Sequence, residues 1–120
     1  YINLKKIISY FFYSRETADV IILGFKTNDF RNSGILKTNK LKKLLQINEK
    51  LNFKTGNLAN GGLYILSKKA LKNFKKIKYN NLILDIFEQF KDKINVYKYN
   101  GVYFDIGTKK NLLKLKNFYK

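Results

Sequence analysis

In the stretch DVIILGF, residues 19–25, every position from Val20 to Phe25 is apolar except Gly24. Successive side chains of a strand point to opposite faces, so a strand without polar alternation must be covered on both sides. The run is far shorter than the roughly 20 apolar residues of a membrane span. It predicts a sheet held between layers of helix, an α/β architecture. NGGLYILS, residues 60–67, makes the same demand a second time.

Around these runs the apolar spacing is helical. Leu4, Ile7, Ile8, Phe11 and Phe12 fall on one face of a helix over residues 3–15. Ser67 stands where it would cap a helix over 68–74. Leu82, Ile83, Ile86, Phe87 and Phe90 mark another over 81–92, and Thr108 caps a last helix over 109–118. KTNDFRNSG is a polar loop ending at Gly34. ILKTNKLKKLLQIN reads as two strands around a turn at Thr38, Asn39 and Lys40; INVYKY and VYFDI read as two more around Asn100 and Gly101. Strands near 19–25, 62–66 and 102–106 are expected to share one sheet. The order has no internal repeat and no linker, and 120 residues make at most one domain. A sheet of this kind usually opens on a strand and a glycine-rich phosphate loop. Neither stands at the start, so residues 1–120 read as a single partial domain, the second half of a larger unit.

Composition removes several chemistries. With no cysteine there is no disulfide, thiolate nucleophile or cysteine metal site, and with no histidine there is no Ser-His or Cys-His arrangement. No stretch has the length of a membrane span or the pattern of a secretory signal, so a cytoplasmic chain with no membrane partner is expected. The formal net charge of +17 suits an anionic partner. Almost all of it is lysine, spread over every segment, and the only arginines are Arg15 and Arg31. Nucleic-acid readers favour arginine's bidentate fork and concentrate charge on one element, so nucleic acid is not the expected partner. Asp105, between Phe104 and Ile106 and just before Gly107, stands where open α/β sheets bind ligands; a turn or cap role is its alternative.

Three segments fall in an order that carries a resemblance: Glu49-Lys50, NGGLYILS and GVYFDIGTKKNLLK (residues 101–114). Together they resemble the C-terminal half of the sugar-1-phosphate nucleotidylyltransferases, whose corresponding stretches run E-K-P, N-[AG]-G-[IL]-Y-[VIL] and G-x-[WYF]-x-D-I-G-T-P. Within that family the spacing is most similar to heptose- or mannose-1-phosphate guanylyltransferases. The resemblance implies a Rossmann-like nucleotidyltransferase fold, a layered mixed sheet flanked by helices, present here as its C-terminal half. It also implies a reaction. A sugar 1-phosphate attacks the α-phosphorus of a nucleoside triphosphate, giving a nucleotide-sugar for cell-surface polysaccharide and releasing pyrophosphate, with Mg²⁺ as cofactor.

Carried onto this sequence, Lys50 would contact the sugar phosphate and Glu49 the sugar hydroxyls. Asn60 would hydrogen-bond the sugar, Gly61 and Gly62 would let backbone approach ligand or sheet, Gly34 would turn its backbone to the sugar or simply serve its turn, and Asp105 would be one of two metal-binding aspartates. Leu51 replaces the proline that follows Glu-Lys in the family. The family's glycine-rich signature and its first metal aspartate have no counterpart here. The implied partners are therefore the nucleoside triphosphate, the sugar 1-phosphate and the missing N-terminal half, with room for a homo-oligomer once complete, and the isolated piece should not catalyse. Two other readings stand beside this one: a basic module for nucleic acid or another polyanion, and a degenerate, non-catalytic relative.

Overall fold

The computed structural model describes residues 2–75, 78–103 and 109–120. In chain order the elements are α1 (Leu4–Ser14), β1 (Val20–Lys26), β2 (Gly34–Thr38), β3 (Leu44–Glu49), β4 (Leu58–Leu66), α2 (Lys68–Asn73), α3 (Leu82–Phe90), β5 (Ile94–Tyr99) and α4 (Lys109–Phe118). The five strands form one mixed sheet in the order β3-β2-β4-β1-β5. β1 runs antiparallel to β4 and parallel to β5, and β2 and β3 form the expected hairpin.

The run that demanded cover on both faces receives it. Val20 and Ile22 point into one core with Val96 of β5, Ala70 of α2, and Ile83 and Ile86 of α3. Ile21 and Leu23 point the other way, onto Ile7 of α1 with Tyr10, Phe11, Leu63 and Ile65 around them. Each fully buried aliphatic side chain contributes about 1.5–3 kcal/mol relative to exposure, so β1, buried at every position but Lys26, is the main anchor of the fold.

Helix starts follow side-chain chemistry. Ser67 Oγ accepts the Ala70 N–H at 3.0 Å, as expected of the cap, and its hydroxyl lies 3.2 Å from an Asp19 carboxylate oxygen, tying α2 to the entrance of β1. Asn81 caps α3 in the same way through the Ile83 N–H. Asp85, in the first turn of α3, is almost wholly buried and accepts the Lys78 and Tyr79 amides at 2.8 and 3.5 Å. α3 stops two residues short of the expected 92: the Lys91 N–H bonds to Phe87 O, and residues 91–93 continue as a 3₁₀ turn.

The glycines of NGGLY make an irregularity in β4. Ile22 faces Tyr64 while Gly24 faces Asn60, so β4 advances four residues where β1 advances two. Gly62 takes up the excess at φ +71°, a left-handed conformation natural to glycine. The strand expected over 102–106 is not found where it can be followed, since Val102 and Tyr103 belong to no strand. Tyr103 instead stacks its ring on Phe25, 4.1 Å between centroids, and packs against the sheet as a side chain. Residues 104–106 and the proposed cap Thr108 lie outside the described residues.

Candidate functional site

β2 and β4 meet through a single pair, Ile35 with Ala59. β2 begins at Gly34, one residue before that pair, whereas β4 continues to Leu66. Beyond Gly61, β4 has no strand beside it on this edge among the described residues. The result is a notch whose floor is the outer edge of β4 and whose wall is the end of β3 and the start of β2.

Four of the residues singled out in the sequence gather at this notch. Gly34 pairs with Glu49 across the hairpin, and the register of Ile35 with Ala59 sets Gly34 beside Asn60. Cross-strand partners share a face, so Glu49, Gly34 and Asn60 form one row in which the glycine brings no side chain of its own. A Cβ on Gly34 would stand 2.6 Å from Glu49 Oε1, so the carboxylate lies across the glycine. Lys50 follows at the end of β3 with φ 45°, its N–H directed to Ser33 O at 3.4 Å and its side chain exposed. A non-glycine residue in this region stores of order 1–2 kcal/mol, and such strain collects at ligand sites.

Asn60 is fixed from both ends. Its Nδ2 donates to Tyr64 Oη at 2.8 Å, and its Oδ1 accepts the Gly62 N–H at 3.0 Å. The Tyr64 hydroxyl accepts in that bond and keeps its own proton to donate. Burial pushes its pKa above the ordinary 10.0; the Asn60 bond opposes the rise, while the Glu49 carboxylate and Tyr103 add to it. Tyr64 is thus a neutral donor across the physiological range. The Tyr103 hydroxyl donates to Gly61 O. Gly61 approaches the sheet: a Cβ there would stand 3.0 Å from Leu23 O of β1.

Sequence reasoning missed Tyr64 and Tyr103 as members of this cluster, although both stand inside the quoted motifs. The signal was the spacing of Asn60 and Tyr64 across a glycine pair, which brings amide and hydroxyl onto one face of a bulged strand. A cleft of about 400 Å³ lined in part by Ser33 and Tyr103 carries Lys26, Lys110 and Lys114 against the one carboxylate of Asp29, a net positive setting. Asp105 lies outside the described residues. No group of three or more histidine, cysteine or acidic side chains able to hold a metal occurs among the described residues. No helix among them is long and apolar enough to cross a membrane.

The sequence matches the family model described as Nucleotidyl transferase over residues 1–120. A glucose-1-phosphate adenylyltransferase of Bacillus cereus is 23% identical over 119 residues, which are 92% of this chain and 32% of that protein. A proposed glucose-1-phosphate thymidylyltransferase of Bacillus anthracis, solved with sucrose, superimposes with a TM-score of 0.79 at 18% identity; 98% of this chain covers 49% of that one. HddC of Yersinia pseudotuberculosis, solved with GMP-PN, gives a TM-score of 0.77 at 25% identity, with 99% of this chain on 50% of that one. The chain thus spans about a third of the sequence relative's length and about half of each solved chain.

Proposed function

Given that this chain belongs to the nucleotidyl transferase family, we propose that it is the sugar-phosphate half of an enzyme joining a nucleoside triphosphate to a sugar 1-phosphate. The products are a nucleotide-sugar and pyrophosphate. The observation that carries this reading is the row of Glu49, Gly34 and Asn60, with Lys50 at its end and Tyr64 behind it. A sugar presents hydroxyls, and the row offers a carboxylate to accept from them, laid over Gly34 where a side chain would displace it, and an amide held rigid by Tyr64 and Gly62. The Lys50 ammonium supplies the positive charge that a sugar phosphate requires. No side-chain nucleophile is needed, because the substrate phosphate is itself the attacking group. The work left to the protein is positioning and charge neutralisation.

Mg²⁺ belongs to this reading. It takes hard oxygen donors, commonly one or two carboxylates with phosphates and waters completing an octahedron. Asp105, which lies outside the described residues, is the residue we assign to it. When bound, the ion would neutralise charge on the reacting phosphates. A nucleotide-sugar of this kind would serve cell-surface polysaccharide synthesis in the cytoplasm.

The test is to express the chain joined to an upstream nucleotide-binding half and offer it the common nucleoside triphosphates with hexose and heptose 1-phosphates in Mg²⁺. One pairing should yield pyrophosphate and a nucleotide-sugar. Wild-type turnover retained in both Lys50→Ala and Glu49→Ala would remove the notch from catalysis.

A further inference from the structure

We infer that the hairpin of β2 and β3 closes a second binding site against β5, a recess for a compact phosphate anion carrying at least two charges. The site stands apart from the notch and does not rest on the reaction proposed above.

The recess comes from the reach of the hairpin. In the sheet β2 and β5 are separated by β4 and β1, yet the turn after β2 arrives at β5. Lys43 bridges Asn95, and the Val96 N–H donates to Lys42 O at 2.8 Å. A recess of about 290 Å³ is left between hairpin and sheet. Leu36, Leu58 and Val96, which pack in or against the core under α2 and α3, give its apolar part.

The charged lining is all of one sign. Lys37 comes from β2, Lys42 from the turn and Lys98 from β5, and no acidic residue lines the recess. The ion pair among the described residues joins Lys78 to Glu88 and takes none of these three. Ammoniums gathered without a counter-charge raise the local potential, and an anion lowers it. Thr38, Thr55 and Asn57 add short polar side chains.

This lining selects among anions. A planar carboxylate is best met by the flat fork of arginine, and neither Arg15 nor Arg31 lies here. Compact ammoniums and hydroxyls approach from several directions, which suits the tetrahedral oxygens of phosphate. The volume stands at the lower end of the roughly 300–1,000 Å³ of ligand pockets, so the anion must be small.

Lys42 is also held in advance. Its φ of 67° is left-handed, uncommon for a residue with a side chain, and its surroundings enforce it. Asn39 Oδ1 accepts the Leu41 and Lys43 N–H groups at 2.9 and 3.0 Å, and the Lys42 N–H donates to Asn39 O at 3.1 Å. β3 is thus bracketed by two left-handed lysines, Lys50 at the notch and Lys42 at the recess. Gly34 and Thr38 are the two ends of β2, roughly 13 Å apart along a strand, so the two sites are separate.

The experiment titrates pyrophosphate and glycerol 1-phosphate into the chain joined to an upstream nucleotide-binding half. The salt is held at about 0.15 M, where exposed charges more than about 8 Å apart are largely screened. Amide shifts are followed residue by residue, so an anion bound elsewhere in the joined protein does not enter the readout. Saturable shifts are expected at Thr38, Lys42, Gly56 and Lys98, and the tighter ligand says whether the anion comes free or as an ester. Lys42→Gly relieves the left-handed backbone and Lys98→Gln stands at an exposed strand position, so both should fold. Each should weaken binding at the recess by about tenfold or more. Lys5→Gln with Lys120→Gln removes two exposed charges outside the recess and should change nothing there. Equal weakening in that control would reduce the binding to overall charge and overturn the inference. So would shifts confined to Glu49 and Lys50, no saturable shift at the recess, or citrate bound there as tightly as either phosphate.

Discussion

Replacing Gly34 with alanine asks whether the Glu49 carboxylate is held where a ligand needs it. The added Cβ would stand 2.6 Å from Oε1 and 3.2 Å from Cδ of Glu49. Favourable contacts lie at about 3.5 Å or more, so the carboxylate must retreat by roughly 1 Å. What has to move is the far end of a flexible side chain, and the backbone at Gly34 is not left-handed, so the fold should accept the change. Lower freedom in the unfolded chain favours alanine by about 0.4–1 kcal/mol. An off-rotamer Glu49 costs about 0.5–1.5 kcal/mol. The two nearly cancel, so the thermal midpoint should move little. Binding should not escape. Losing one charge-assisted hydrogen bond to a sugar hydroxyl removes about 1.5–3 kcal/mol, or roughly 10–100-fold in KM for the sugar 1-phosphate. The assay is nucleotide-sugar formation by the chain joined to its other half, beside a thermal melt. Repeated in a Glu49→Ala background, Gly34→Ala should add nothing further, because the residue through which it acts is gone. An unchanged KM, or the same loss in both backgrounds, would refute the reasoning.

Four further outcomes are expected. Asp105→Asn keeps size and turn-forming ability but removes the charge, so turnover should fall by roughly a hundredfold or more, about 2.7 kcal/mol of barrier, with an unchanged melt; near-normal turnover would return Asp105 to a turn or cap role. Lys50→Gly relieves a left-handed backbone and should hold stability within about 1 kcal/mol while turnover collapses, and a large loss of stability on denaturant titration would show that the strain assignment is mistaken. The Tyr64 hydroxyl is pushed above its ordinary 10.0, so its contribution is whole below that pH and is lost as pH rises through the folded-state value. Alkaline unfolding should therefore set in at higher pH in Tyr64→Phe than in the wild type, and coincident curves would deny the shift. Asp85→Ala removes a buried carboxylate and leaves the part-buried amides of Lys78 and Tyr79 without their acceptor, which should cost about 1.5–3 kcal/mol by urea titration, whereas a loss below about 1 kcal/mol would mean that water replaces the carboxylate.

Elements whose residues announce their own environment were legible in the sequence. Val20–Phe25 had to lie between layers because nothing in it could face water, and Ser67 had to cap because a helical period follows it. The hairpin of β2 and β3 was readable from its turn. Partnership was not. Nothing local in β1 says that it runs parallel to a strand near the other end of the chain, because that choice is made by helices crossing the sheet. Residues 102–103 look like strand by composition, yet Tyr103 is held as a ring on Phe25 and a hydroxyl on Gly61 and belongs to no described strand, so the side chain decides. Of the notch, Glu49, Lys50, Asn60 and Gly34 were named through motifs, but their convergence depends on one residue pair between β2 and β4, a register no motif encodes.

The parallel pairing of β1 with β5 has a consequence for the time course of synthesis. Val20 finds Leu66 on one side and Ile94 on the other, both made long after it. At about 5–20 residues per second, the wait for Ile94 lasts on the order of 4–15 s, during which VIILGF is present without its neighbours. Loop closure of that span is slow compared with local helix formation, so α1 can form early while the strand it must cover still lacks both partners. A nascent chain in that window carries an apolar strand, buried at Val20 to Phe25 in the finished fold, in its least protected state. Conditions that slow translation between residues 27 and 93 should lower the soluble yield, even though they change no contact in the finished fold.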